Sequence, residues 1–242
     1  MRPFTNFCRK LPEQAPHPEY DRRLDPLYNV ESVDVRCNRG GSTAGQGVET
    51  AIVLAGDEVG FGIANDSSFM SLGRGGRIFH AGPGQAYLSK ALADLETYEG
   101  DGDWFKIGQY GPKDAKDWVL NGTQYWMNFT IPKTTPPGKY LMRVEHMFPY
   151  APAMLQFYIS CAHVQIVGPG GGEMPVVCRC VADLTRTCVE MPSPLVKFPG
   201  AYKMNDSNIA ILPEHAQFPG EGHERNLFSP KWVNPGPAVW TG

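Results

Sequence analysis

Apolar and polar side chains alternate most clearly in the middle of the chain. Tyr125, Met127, Phe129 and Ile131 alternate with Gln124, Trp126, Asn128 and Thr130, the period of two expected of a strand with one buried face. The turn residues Thr134-Thr135-Pro136-Pro137-Gly138 follow. Tyr140, Met142 and Val144 then alternate with Leu141, Arg143 and Glu145, which predicts a second strand. A third runs from about Gln156 to Val167. Its parity places Gln156, Tyr158 and Ser160 on one face and Phe157, Ile159 and Cys161 on the other. Upstream, Val59, Phe61 and Ile63 recur at every second position after the Gly56-Asp57 turn, and Ala86–Leu92 and Trp104–Ile107 read as further strands. Residues 8–50 hold Pro12, Pro16, Pro18, Pro26 and a Gly-rich stretch at 40–47, and read as loop with short strands. Beyond Gly168–Gly172 the chain is Pro-rich with little periodicity, so a long tail is expected to wrap the domain. The expectation is one domain over residues 1–242: an all-β, immunoglobulin-like antiparallel β-sandwich with long loops.

Composition narrows the function. The 242 residues are 42% hydrophobic and 19% charged, enough apolar mass to bury a core. A net charge of −3 leaves no basic excess to neutralise phosphates, which argues against nucleic-acid binding. No apolar run approaches the roughly 18 residues that would span a membrane. A Ser nucleophile elbow, a P-loop, a dinucleotide fingerprint and H-E-x-x-H are all missing from the sequence. Cys178-x-Cys180-x7-Cys188 matches no structural zinc spacing. Four N-x-[ST] sequons, at Asn65, Asn121, Asn128 and Asn205, lean towards a secreted glycoprotein. The opening residues Met1-Arg2-Pro3-Phe4 nevertheless carry no hydrophobic signal-peptide core.

His80, ending a short apolar run at the Gly82-Pro83-Gly84 turn, is a loop imidazole, and neutral imidazole suits copper or zinc. Tyr158 and Gln156 project from one strand face, so one site could receive both. These residues lie in segments that resemble a known family: Ile78-Phe79-His80-Ala81-Gly82-Pro83, Gly102-Asp103-Trp104-Phe105-Lys106-Ile107, and Phe129-Thr130-Ile131-Pro132 through Pro136-Pro137-Gly138-Lys139-Tyr140. Arg143-Val144-Glu145-His146, Gln156-Phe157-Tyr158-Ile159-Ser160-Cys161, Val196-Lys197-Phe198-Pro199-Gly200-Ala201-Tyr202 and Pro235-Gly236-Pro237-Ala238-Val239-Trp240 continue the match in order. Over about residues 28–170 and 191–242 the chain resembles the fungal lytic polysaccharide monooxygenases of auxiliary-activity family 9.

The resemblance implies a secreted monomer that oxidatively cleaves cellulose or related β-glucan with one copper ion and an external electron donor. It implies His80 and Tyr158 as metal ligands, Gln156 as the residue hydrogen-bonding the oxygen species, Tyr202 as an aromatic on the substrate face, and a Cys37–Cys161 disulfide. Three departures stand against the family pattern. The N-terminal histidine of the copper brace is not at the start of this sequence; a lost exon, a natural brace-less relative or an artificial truncation would each explain that. The family's further histidine beyond Val144-Glu145-His146 is not found in Met147-Phe148-Pro149-Tyr150, and His146 itself is not assigned that role. Residues 173–190 look like an insertion. The chain as written is therefore expected to bind copper weakly through His80 alone and to turn over little, and the alternative function is a non-catalytic polysaccharide-binding relative.

Overall fold

The computed structural model describes residues 5–13, 25–63, 76–150, 154–172, 195–209 and 231–242. Among these residues the chain forms nine strands: β1 (Ala51–Leu54), β2 (Glu58–Gly62), β3 (Ala81–Gly82), β4 (Gly84–Lys90), β5 (Trp104–Tyr110), β6 (Leu120–Asn121), β7 (Trp126–Thr130), β8 (Gly138–Tyr150) and β9 (Met154–Val167). The helical pieces among them are three-residue 3-10 turns, such as Val33–Val35 and Gly41–Thr43 within the Pro- and Gly-rich early region.

One sheet has the order β1-β9-β8-β4-β5, and β2 pairs with β7 in a second, two-stranded sheet. β8 and β9 form a long hairpin, in register from Gly138↔Ile166 to Tyr150↔Met154. β1 was not foreseen, and it runs parallel to β9, from Ala51↔Val164 to Leu54↔Val167. Its four consecutive apolar residues show no alternation in the sequence. In the structure Ile52 is 74% exposed and Leu54 48%, while Ala51 and Val53 turn inward.

The five-stranded sheet is buried on both faces. One face packs Tyr87, Leu141, Met147, Phe157 and Ile159 against Leu27 and Val35 of the early loops. The other packs Leu88, Met142, Val144 and Val164 against Met127 and Phe129 of β7. Gly108 permits this second contact, since a Cβ there would stand 2.8 Å from Phe129 Cδ1. The Cys37–Cys161 disulfide forms on the first face and ties the early loops to β9. The tail wraps as expected where it is described: Val196 exchanges backbone hydrogen bonds with Trp104, and Trp240 N donates to Lys106 O at 2.7 Å.

Burial on both faces traps polar side chains that must be paired to be tolerated. Arg143 and Glu145 are both fully buried and joined at 2.6 Å. Gln85 Nε2 donates to Glu145 Oε1 at 2.6 Å, and the Tyr202 hydroxyl donates to the same oxygen. Tyr202 also meets the Tyr87 hydroxyl at 2.8 Å. Burial first, and then the Glu145 charge, push both phenols well above the usual tyrosine range. Arg9 anchors the start of the described chain: its guanidinium donates to His163 Nε2 at 3.0 Å, Ser42 O at 2.6 Å and Leu95 O at 2.8 Å.

Candidate metal centre

His80 sits just before β3. Its place is set by Gly82 and Pro83, which dock on β8. Met147 N donates to Pro83 O at 2.8 Å, and a Cβ on Gly82 would collide with the Met147 carbonyl oxygen. Only a residue without a side chain allows that approach. It carries the preceding imidazole onto Phe148, with ring centroids 4.0 Å apart and planes 12° from parallel. Phe79 meets the same imidazole edge-on at 5.0 Å. His80 is thus a half-buried histidine held by aromatic rings.

The β8–β9 register supplies the rest. It pairs Phe148 with Gln156 and His146 with Tyr158. The Tyr158 ring lies 5.6 Å from that of His80 and 6.2 Å from that of His146. Its hydroxyl donates to Gln156 Oε1 at 2.7 Å. His80, Tyr158 and Gln156, named from the sequence, therefore come together. Cys161 lies on the opposite face of β9, in the disulfide.

Tyr202 does not join them, and its expected place on a substrate face is corrected. It is 1% exposed, stacked on Phe157 at 6.1 Å and hydrogen-bonded to Glu145 in the core. A phenol with that partner belongs to the interior because Glu145 needs the donor.

His146 is the residue that sequence reasoning passed over. It is 5% exposed, and its Nε2 is buried without a hydrogen-bond partner. Burial, and then the neighbouring His80, hold its pKa down to about 3, so the imidazole is neutral at ordinary pH. The signal for it was the hairpin register, which pairs 146 with 158. Among the described residues no group of three or more His, Cys, Asp or Glu side chains stands ready to enclose a metal. The available donors are neutral imidazole and phenol, a set that fits copper better than a hard cation that demands carboxylates.

A β-sandwich with this cluster near the hairpin end of its main sheet has the fold of the lytic polysaccharide monooxygenases. The crystal structure of HiLPMO9B superposes with a TM-score of 0.63 at 24% identity, over 90% of this chain and 84% of that one. The crystal structure of a cellulose-active polysaccharide monooxygenase from M. thermophila gives 0.61 at 21%, over 96% and 92%. The model of Auxiliary Activity family 9 (formerly GH61) matches residues 5–218, and the chain belongs to that family of oxidoreductases. It is 39% identical over 232 residues to AA9 family lytic polysaccharide monooxygenase U of Thermothielavioides terrestris, covering 96% of this chain and 81% of the relative. It is 36% identical over 227 residues to monooxygenase C of Emericella nidulans, covering 90% and 79%.

Proposed function

We propose that this chain is a secreted, monomeric, copper-dependent monooxygenase that cleaves cellulose or a related β-glucan with electrons from an external donor. The observation that carries the reading is the meeting of His80, Tyr158 and Gln156 at one point of the fold. His80 and Tyr158 would hold the metal, and bound copper would supply one-electron redox chemistry with dioxygen or peroxide as co-substrate. Stacking on Phe148 restrains the His80 ring, so a ligand bond formed there costs little further side-chain ordering. Accepting the Tyr158 proton engages the carbonyl end of the Gln156 amide. That leaves its N–H groups as the donors that could meet an oxygen atom of the co-substrate. Phe79 and Phe148 flank the imidazole and keep water from part of it.

Incubation with cellulose, Cu(II) and ascorbate tests the reading. Oxidised oligosaccharides in the soluble fraction are expected, at the low yield that weak copper binding through His80 allows, and fewer still from His80→Ala. Retention on cellulose without any oxidised product would overturn it in favour of a non-catalytic binding protein.

A further inference from the structure

The outer face of the β2–β7 sheet carries an arrangement that the metal centre does not use. Glu58, Gly60 and Gly62 of β2 share this face with Trp126, Asn128 and Thr130 of β7, in the register Gly62↔Trp126 and Gly60↔Asn128. Trp126 is 57% exposed. A Cβ on Gly62 would stand 2.5 and 2.6 Å from Trp126 Cζ3 and Cε3, and one on Gly60 would stand 3.7 Å from Cε3 and 2.7 Å from Asn128 Oδ1. The indole is thus bedded on glycine backbone, with its other side turned to water, and the Asn128 side chain lies on the same bed.

Asn128-Phe129-Thr130 is a sequon whose Asn and Thr are both exposed while Phe129, between them, is 4% exposed and points into the core. Strand geometry sets Trp126 and Asn128 about 6–7 Å apart on one face, within reach of a sugar attached to the amide. The Asn128 Nδ2 group donates to Glu58 Oε1 at 3.0 Å at the exposed surface. The other sequons differ. Asn121 is half-buried, with Nδ2 donating to Asp117 Oδ2 at 3.2 Å and Oδ1 accepting from Thr123 at 2.8 Å. Asn205 is exposed in a turn, with Lys203 two positions before it, and Asn65 lies outside the described residues.

We propose that Asn128 carries an N-linked glycan whose first sugars rest on the Trp126 indole. Attachment transfers an oligosaccharide from its lipid diphosphate carrier: the anomeric C–O bond breaks, a bond from that carbon to Asn128 Nδ2 forms, the amide loses a proton, and the lipid diphosphate leaves. The sugar's C–H face then covers an exposed aromatic surface, a contact of large area and low entropy cost. The proposal rests on the secreted reading above.

Expression of the full chain behind a supplied secretory leader in a yeast host separates the two, because entry to the pathway no longer depends on the chain's own start. Peptide mass spectrometry of the secreted protein should find Asn128 glycosylated. Thr130→Ala should lose that modification while keeping the Asn128–Glu58 contact, and Thr130→Ser should retain it. Enzymatic deglycosylation of the native protein should lower its melting temperature, and Trp126→Ala should remove most of that difference. An unmodified Asn128 in the secreted, folded protein would overturn the site. A deglycosylation shift unchanged by Trp126→Ala would overturn the stacking.

Discussion

Arg9 Nε donates to His163 Nε2 at 3.0 Å inside the protein, so a buried guanidinium rests on a buried neutral imidazole. Protonating that imidazole would remove the acceptor and set two cations together. Burial first, and then Arg9, lower the His163 pKa from 6.5 to about 4. Between these values the unfolded chain binds the proton and the folded chain does not. The stabilisation is therefore complete above about pH 6.5 and lost as pH falls towards 4, by about 3 kcal/mol. Urea unfolding across this range should show a flatter acid limb in His163→Gln; an unchanged slope would contradict the assignment.

Glu145 collects donors from Arg143, Gln85 and Tyr202 in the core. Arg143→Leu strands a buried carboxylate and should cost about 3–5 kcal/mol. Tyr202→Phe deletes one donor and should cost about 1–3 kcal/mol. Chemical denaturation measures both. Because Tyr202 is 1% exposed, Tyr202→Phe should leave retention on cellulose unchanged; a selective loss of retention with normal stability would restore a substrate-face role.

Gly82 fixes His80 by fitting against the Met147 carbonyl. Gly82→Ala must push the loop off β8, at about 1–3 kcal/mol. It should also weaken Cu(II) binding although residue 82 offers no ligand. Calorimetric titration of the folded variant checks this, and wild-type affinity would contradict it.

The Cys37–Cys161 bridge closes a sequence separation of 124 residues. Replacing both cysteines by Ala should cost about 2–5 kcal/mol. Thermal unfolding of the variant, compared with the native protein in reducing buffer, should show the same lowered midpoint for both.

Period-two alternation made part of this legible in the sequence. It set Gln156 and Tyr158 opposite Cys161, and the hairpin and disulfide follow the same parity. His146 shares the β8 face of Tyr140, Met142 and Val144, so alternation alone turns it inward, but its meeting with Tyr158 depends on the hairpin register, which no local pattern encodes. Tyr202 escaped because its burial depends on a distant tail segment folding back over Glu145, and no local periodicity encodes that. β1 escaped because four apolar residues in a row conceal which pair faces inward.

Copper coordination by His80 is the central claim, and electron paramagnetic resonance of the Cu(II)-loaded protein tests it most directly. The spectrum of the native chain should carry nitrogen hyperfine structure from a bound imidazole, and His80→Ala, shown to be folded by its melting transition, should lose that signature together with affinity. A folded His80→Ala protein with the native spectrum and undiminished affinity would contradict the account.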